Sequence, residues 1–400
     1  MRGLKSWRNL TRKRHIHYVW GLFRSIKKTF MVVICTIMLY IAYRTTKLQY
    51  SHTKVCRYHS PHFKHQLVHK FIYKIKGLPH GIVEAKSDLE LKPLWSTSYS
   101  KLMANGSSSH NLLAMPVGLK QKRNVDTIVQ KFLEDNFTII LFHYDGNMDA
   151  WWDLKWSKKA VHIVADNQTK WWFAKRFLHP AAVSVYDYVF LWDEDLVVQH
   201  FNPRRYLEIV KQEGLEISQP ALDPKSTDIH HRITVRRKRL KFHRRSYDAK
   251  GSAKCRRVGA GPPCTGFVEG MAPVFSRTAW HCAWHLIQND LVHGWGMDMK
   301  LGYCAQGLRN VGIVDSEYVL HQGIQTLGGP AKKASHDVNL SKSHHRAMDM
   351  RTEIRRQSTS ELEIFKKRWE KAVREDSKWV DPFSVSKERH KQQPTPTLYK

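Results

Sequence analysis

The chain has 400 residues, of which 42% are hydrophobic, and a formal net charge of +31 at pH 7. This length and apolar content can supply a packed core, and they exclude a chain too polar to fold. The charge is confined: residues 1–80 hold 17 Lys and Arg and no acid, and residues 232–257 hold 12 Lys and Arg against Asp248 alone. The rest is nearly balanced, so the charge does not belong to the core domain.

The amino terminus is predicted to carry a membrane anchor at residues 29–46, after a basic cytoplasmic tail at residues 1–28. An uncharged run of 15 residues, 29–43, lies between basic residues. It is shorter than the roughly 20 residues that span a bilayer, but flanking Lys and Arg side chains can extend it by reaching the headgroups. A cleaved signal peptide, a mitochondrial presequence and a buried helix are the alternatives.

Residues 47–108 form a predicted stem, since they are basic, rich in His and without sustained periodicity. Sequons and cysteines agree with an oxidising lumen. Four sequons begin at Asn105, Asn136, Asn167 and Asn339. Four cysteines lie in the second half, at Cys255, Cys264, Cys282 and Cys304. Their number suits two disulfides of undetermined connectivity and their spacing does not match a zinc site, although buried free thiols are an alternative.

Strands and helices alternate in the first half of the folded domain. Strands are predicted over 111–118, 137–144, 161–165, 188–192 and 216–223, and helices over 125–132 and 170–178. Strands that are apolar nearly throughout indicate a parallel sheet covered on both faces. Sheets of this kind bind ligands at the carboxyl ends of their strands.

The acidic triplet Asp193-Glu194-Asp195 follows the strand predicted at 188–192. Side chains alternate along a strand, so Asp193 and Asp195 are expected to point one way and Glu194 the other. Two carboxylates there can hold a divalent cation, which in turn can hold a diphosphate, although an acidic turn is the alternative. Three residues at the ends of other predicted strands are expected along the same edge of the sheet, namely Pro116, Gly118 and Asp145. This shared position favours the ligand site.

The second half is less regular. Helices are predicted over 278–291 and 361–373, and residues 331–400 are predicted to be a charged C-terminal extension, partly helical and then disordered. The basic segment 232–257 is predicted to be a solvated loop that folds over phosphates or attracts an anionic acceptor such as an acidic polysaccharide.

The order of motifs resembles glycosyltransferases of the GT-A fold. The resemblance is carried by the Asp-x-Asp at a strand end, by Gly294-Trp295-Gly296 followed by Asp298, and by His321 at the end of an apolar strand. It implies an α/β domain at 109–330 with a mixed sheet flanked by helices. It also implies a Golgi type II membrane protein whose domain lies in the lumen.

The resemblance further implies a role for each residue. Asp193, Asp195 and His321 would bind Mn²⁺ or Mg²⁺, which neutralises the diphosphate of a nucleotide-sugar donor. Asp298 would deprotonate an acceptor hydroxyl in an inverting enzyme, and Glu269 is the second candidate acid, for a retaining one. Donor contacts are implied for Pro116, Gly118, Asp145 and Glu194, and acceptor contacts for Trp295 and Gly296. The structural alternatives are a core Trp295, a satisfied structural His321 and a helix-capping Asp298.

More closely, residues 111–329 are similar to a plant family of unknown function labelled lysine-ketoglutarate-reductase trans-splicing-related. The matching blocks are 141–146, 167–180, 186–196, 217–223, 262–274, 294–304 and 319–329. No activity is established for that family, so the predicted function rests on motif order and fold analogy.

The predicted function is metal-dependent transfer of a sugar from a nucleotide-sugar donor to a glycan or polysaccharide acceptor. One alternative is a non-catalytic lumenal sugar-binding or scaffold protein. The other is a basic RNA-binding protein, as the family label implies. The basic stretches show no aromatic stacking platform, which argues against nucleic acid as a partner.

Overall fold

The computed structural model describes four stretches of the chain. They are 30–44 without 32 and 42, 77–87, 110–324 without 228, 248–254, 256–260 and 308, and 340–384, with the side chains of the last stretch described from 352 onward. The predicted tail, most of the predicted stem, Asn105 and Asn339 lie outside these residues. The chain divides into two compact units, Met1–Ile72 and Tyr73–Lys400.

The described residues of the first unit are helical, and they expose large apolar side chains such as Phe30 and Leu39. Across the described stretches, no helix combines the length and apolar character needed to cross a membrane. The anchor predicted at 29–46 therefore gains no support from the structure.

A mixed sheet forms the centre of the second unit. Its strands are β1 Asn111–Val117, β2 Phe137–His143, β3 Val161–Val164, β4 Tyr188–Leu191, β5 Leu196–Val197, β6 Ile217–Leu222, β7 Phe242–His243, β8 Val274–Ser276 and β9 Val311–His321. They run in the order β3-β2-β1-β4-β8-β6-β9-β5, with β7 paired to β9. The first four strands pair in parallel, whereas β8 is antiparallel to both β4 and β6.

Helices cover both faces of this sheet. They are α1 Lys122–Phe132, α2 Lys170–Phe177, α3 Pro203–Gln212, α4 Arg277–Leu286, α5 Asp298–Leu301 and α6 Leu340–Glu375. Alternate residues of β1 enter opposite cores, with Leu112 and Ala114 on one face and Leu113 and Met115 on the other. The prediction of a mixed α/β sheet with flanking helices is confirmed.

The domain extends beyond the predicted bounds of 109–330 on both sides. Residues 77–87, assigned from sequence to the stem, bury Ile82, whose carbonyl accepts a hydrogen bond from Gln288 Nε2 at 2.8 Å. Helix α6, assigned to a C-terminal extension, buries Phe365 and Trp369 in the same core. Their four-residue spacing places both on one helix face, and this apolar stripe explains why the helix packs against the domain.

Two disulfides join the four cysteines of the domain, as their number predicted. Cys255 pairs with Cys264, and Cys282 in α4 pairs with Cys304 in the turn after α5. The pairing itself could not be read from the sequence, because four cysteines allow three connectivities.

The order in which strands are added to the sheet reverses between β1 and β4, which makes this a topological switch point. Strands β2 and β3 follow β1 on one side, and β4 then lies on the other side of β1. The loops that leave β1 and β4 therefore diverge and leave a crevice at their carboxyl ends, where open α/β sheets bind ligands.

Candidate active site at the carboxyl edge of the sheet

Asp193 is the first residue of the acidic triplet, and it faces an internal cation. Lys170 Nζ, on the first residue of α2, lies 2.6 Å from Asp193 Oδ1 and also donates to the carbonyl of Gly270. The Lys170 side chain is 8% exposed, whereas that of Asp193 is 34% exposed. Asp193 thus reaches the crevice with a fixed positive charge beside it.

Asp195 is buried and meets His321. Its Oδ2 lies 3.4 Å from His321 Nε2 and accepts the backbone N–H of Ile324 at 2.8 Å. Pairing of Leu196 in β5 with His321 in β9 brings the two side chains together. Burial alone would raise the pKa of Asp195, but the hydrogen bond and charge of His321 outweigh burial and lower that pKa. Asp195 is therefore ionised at neutral pH.

Glu194 contacts different groups from Asp193 and Asp195, but the triplet lies beyond the end of β4 at Leu191, so the alternation expected of a strand does not apply to it. Its Oε2 accepts the backbone N–H of Gly118 at 2.7 Å, and its Oε1 accepts the hydroxyl of Tyr144. Burial raises the pKa of Glu194 to about 8. The carboxyl group thus links the residues that follow β1 and β2 to the segment that follows β4. Its predicted contact with a donor stays a prediction.

The other predicted donor residues lie along the same edge. Asp145 Oδ2 accepts the backbone N–H of Leu119 at 2.7 Å, which joins the loop after β2 to the loop after β1. Pro116 lies near the end of β1, paired with Phe142 of β2. The structure brings Pro116, Gly118 and Asp145 to one rim of the crevice, and their contacts with a donor stay predictions.

Asp298 is close enough to Glu269 to act on its pKa electrostatically. Burial raises the pKa of Glu269 to about 7, and the charge of Asp298 adds to this rise, while His321 opposes it. Burial likewise raises the pKa of Asp298 to about 6, with His230 opposing. Glu269 accepts the hydroxyl of Thr234 and is 3% exposed. Glu269 therefore lies within electrostatic reach of both Asp298 and His321.

The Gly-Trp-Gly element forms a tight turn that projects its tryptophan. Gly294 and Gly296 have φ values of +68° and +84°. A Cβ on Gly294 would lie 2.4 Å from Cδ1 of Trp171, and one on Gly296 would lie 2.5 Å from Cδ1 of Leu362. Trp295 between them is 46% exposed, so it is not a core residue.

Asp298 is the first residue of α5, directly after this turn. Its Oδ1 accepts the backbone N–H of Met299 at 2.8 Å, while Met297 occupies the N-cap position. Asp298 therefore does not occupy the N-cap position considered from sequence. Met297 occupies it, and its side chain makes no capping hydrogen bond.

The donor atoms fit a divalent cation in part. Asp195 Oδ2 and His321 Nε2, at 3.4 Å, are close enough to bind one ion with bonds of about 2.1 Å. Asp193 would join them only after leaving Lys170. In the described part of the chain, no three His, Cys, Asp or Glu side chains are already arranged to hold an ion. Two of the three predicted ligands thus lie side by side, and their binding of a metal stays a prediction.

Several site residues were not identified from the sequence. They are Lys170, Tyr144, Thr234, His230 and His231. One of them left a signal: Lys170 opens α2 directly after the N-cap Thr169, where a positive charge opposes the helix dipole. A lysine there is not explained by helix stability, and its contact with Asp193 supplies the reason.

The two described sequons lie on the surface. Asn136 and Asn167 are both exposed, and Asn167 adopts a left-handed conformation with φ of 57°. Thr169 of the second sequon caps α2, since its hydroxyl accepts the backbone N–H of Trp172. Glycosylation of both asparagines stays a prediction.

Residues 72–375 match the family described as Protein of unknown function (DUF707), and the chain belongs to this family. This confirms membership of a family of unknown function, while the predicted plant source and trans-splicing label are not tested by the match. No curated protein matches the chain.

Solved structures with a related arrangement include a glucosyl-3-phosphoglycerate synthase and a glycosyltransferase. Staphylococcus aureus TarS, residues 1–349, is 9% identical with a TM-score of 0.37 over 53% of this chain and 60% of that chain, less than two thirds of its length. Mycobacterium tuberculosis glucosyl-3-phosphoglycerate synthase, in complex with Mn²⁺, UDP-glucose and phosphoglyceric acid, is 10% identical with a TM-score of 0.29 over 69% of this chain and 88% of that chain.

A third similar structure is the glycosyltransferase GlyE of Streptococcus pneumoniae TIGR4. It is 8% identical with a TM-score of 0.30, over 60% of each chain. At TM-scores below 0.5, these likenesses carry no argument about activity or ligands, which have to be argued from the site itself.

Proposed function

We propose that the protein is a glycosyltransferase that moves a sugar from a nucleotide-sugar donor to a saccharide acceptor. The observation that carries the proposal is the contact of Asp195 with His321 at the carboxyl edge of the sheet, with Glu269 within electrostatic reach of both His321 and Asp298. Acids and a histidine held together beside the β1/β4 crevice are groups that sugar transfer requires, namely a holder for a diphosphate and a proton acceptor.

The donor diphosphate would lie over the ends of β1 and β4. Asp195 and His321, joined by Asp193, would hold Mn²⁺ or Mg²⁺, which supplies positive charge to the leaving diphosphate when bound. Lys170 lies at the same place and supplies a permanent positive charge beside Asp193. The ammonium group therefore balances this carboxylate and also favours an anionic ligand above it.

The acceptor hydroxyl would be deprotonated by Asp298. With a pKa of about 6, this group is mainly a carboxylate at pH 7 and can still accept a proton efficiently. Glu269 is more deeply buried and is already engaged by Thr234, which makes it the less accessible base. A base that acts on the acceptor belongs to an inverting reaction, so we expect inversion. Trp295 offers an exposed ring on which the acceptor sugar can pack.

The predicted site of action is the Golgi lumen. Two disulfides in the folded domain suit an oxidising compartment. Digestion of the expressed protein with an endoglycosidase tests this assignment. A mobility shift would support a lumenal domain, and an unchanged band would argue for a compartment without N-glycosylation.

The activity is tested by incubating the full chain with a panel of nucleotide sugars and Mn²⁺, and measuring nucleotide diphosphate release. We expect one donor to be hydrolysed slowly without acceptor, and hydrolysis to be lost in Asp195→Asn. Asp290→Asn is the matched control, since Asp290 pairs with Arg368 on the surface. Equal hydrolysis by wild type, Asp195→Asn and Asp290→Asn would remove the acid cluster from the reaction, and no hydrolysis of any donor by wild type would leave a binding protein.

A further inference from the structure

A cavity of about 810 Å³ lies beside the short 3-10 helix Arg232–Thr234. Its wall is strongly basic: five of the lining side chains are His230, His231, Arg232, Arg236 and Arg237. Among the described residues that line it, none is acidic. A concave surface lined by positive charges attracts anions. Carboxylates in the wall would repel the anion and compete with it for the arginines.

Two of these arginines are fixed by groups that do not neutralise them. The guanidinium of Arg236 lies 3.6 Å from the ring centroid of Tyr318, and its Nε donates to the carbonyl of Asp315 at 3.1 Å. Arg237 Nη2 donates to the carbonyl of Arg245 at 2.8 Å. Both cations are thus held in place before a ligand arrives, which lowers the entropy lost when an anion binds.

Asp315, whose carbonyl accepts from Arg236, has its carboxylate committed to other partners. Asp315 Oδ2 lies 2.7 Å from His243 Nδ1, and its Oδ1 accepts the backbone N–H of Arg237 at 2.6 Å. Its side chain is completely buried beside β7. It therefore organises the arginine segment from behind and does not occupy the cavity.

The same segment also forms a wall of the candidate active site. The hydroxyl of Thr234 donates to the carboxyl of Glu269 and to the carbonyl of His231. The ring of His231 packs on Phe267 at 4.8 Å between centroids, and His230 is close enough to Asp298 to act on it electrostatically. The wall of the cavity therefore includes residues that also act on the proposed base.

The cavity carries one exposed aromatic ring. Tyr247 is 60% exposed, and the guanidinium of Arg245 lies 5.4 Å from its ring centroid. Cys255, which also lines the cavity, is linked to Cys264. A flat ring next to fixed cations is suited to a sugar ring that carries an anionic group.

We propose that this cavity binds a carboxylate-bearing saccharide, such as a uronic acid chain, and presents its neighbouring hydroxyl to Asp298. The inference rests on the proposed function, because it names the class of acceptor. An RNA strand is the competing polyanion. It would need successive stacking rings along a groove, whereas the residues lining this cavity include a single exposed aromatic ring.

The test is direct binding by the full chain, which does not depend on catalysis. The probes are an oligogalacturonate, a neutral cello-oligosaccharide of equal length and a polyuridylate, titrated by calorimetry at several salt concentrations. The cavity variant is Arg232→Gln with Arg236→Gln. The matched control is Lys238→Gln with Arg239→Gln, which removes the same charge from exposed residues of the same loop that do not line the cavity.

We expect wild type to bind the oligogalacturonate and not the neutral chain. The cavity variant should weaken this binding by roughly tenfold or more, since each charged hydrogen bond contributes above 1 kcal/mol. The control should stay within about twofold, because exposed charges at a distance are screened. Circular dichroism establishes that both variants are folded.

Three results would overturn the inference. The first is that both double variants weaken oligogalacturonate binding equally, and the second is that wild type binds the neutral chain with equal affinity. The third is that wild type binds polyuridylate more tightly than oligogalacturonate and only the cavity variant loses this binding. Donor hydrolysis without oligogalacturonate binding would refute the acceptor class and leave the proposed function standing. Oligogalacturonate binding at the cavity in a protein that hydrolyses no donor would uphold the binding site and refute the proposed transfer reaction.

Discussion

Asp195 Oδ2 lies 3.4 Å from Nε2 of His321, although the two residues belong to different halves of the chain. The pairing of β5 with β9 produces this contact, since Leu196 stands opposite His321. The carboxylate keeps its charge because the imidazole stabilises the ionised form more than burial disfavours it. The pair is thus placed to supply two ligands of the proposed cation site.

This pair predicts how metal binding responds to substitution. Asp195→Asn and His321→Ala should each weaken Mn²⁺ binding by about 100-fold or more, because loss of a ligand exceeds the effect of losing an outer partner. Electron paramagnetic resonance titration measures the free ion. His200→Ala is the control, since that imidazole stacks on Tyr318. Unchanged Mn²⁺ affinity in both site variants would place any metal elsewhere.

Lys170→Gln should have the opposite effect on the metal. The substitution frees Asp193 and removes a positive charge that repels the ion, so Mn²⁺ affinity should rise by roughly tenfold. The free energy of unfolding should fall by about 1–2 kcal/mol, a modest loss because Asp193 is partly solvated. Lys131→Gln, on the exposed face of α1, should change neither quantity. A fall in Mn²⁺ affinity would mean that Lys170 supports the ion instead of competing with it.

The pKa of Asp298 predicts the pH dependence of transfer. The base has to be deprotonated, so the rate should be constant above its pKa of about 6 and fall tenfold per pH unit below it. Asp298→Asn should lower the rate by about 10²–10⁴-fold and abolish this acid limb. Asp290→Asn should keep the wild-type profile. An acid limb that persists in Asp298→Asn would assign the titration to another group.

Gly294→Ala should destabilise the domain more than Gly214→Ala. Both glycines have positive φ, so both substitutions cost about 1 kcal/mol in backbone strain. The new Cβ would meet Trp171 only at position 294, whereas position 214 is open. Overpacking should bring the loss at 294 to about 2–4 kcal/mol. Urea denaturation measures both, and equal losses would show that Trp171 moves freely.

The strands and helices of the first half of the domain were predictable from sequence because their periodicity is strong. The helix predicted at 125–132 and the strand at 137–144 agree with α1 and β2 to within a few residues. Helix α6 was underestimated, since its amino-terminal half is polar and shows its apolar stripe only from Ile354 onward. The β7–β9 pairing joins distant segments, and no local pattern reports it.

The site was predictable where a motif shows in a short stretch. Asp193, Asp195, Asp298 and Glu269 could be proposed from local patterns, and the structure places Asp195 against His321 and Glu269 within its electrostatic reach. The partners of these acids could not be proposed. Lys170 and Thr234 contact them only because the chain folds back, and a single Lys or Thr carries no signal of such a contact.

Helix α6 and the segment 77–87 lie against each other, and the backbone N–H of His80 donates to Asp376 Oδ2 at 3.0 Å. Gly81 lies against Ala372 of α6, so removal of either segment would expose apolar surface on the other. Proteolytic trimming to 109–330 should therefore yield a fragment that exposes apolar surface and aggregates. Any shortened version meant for crystallisation has to begin before Gly77 and end beyond Phe383.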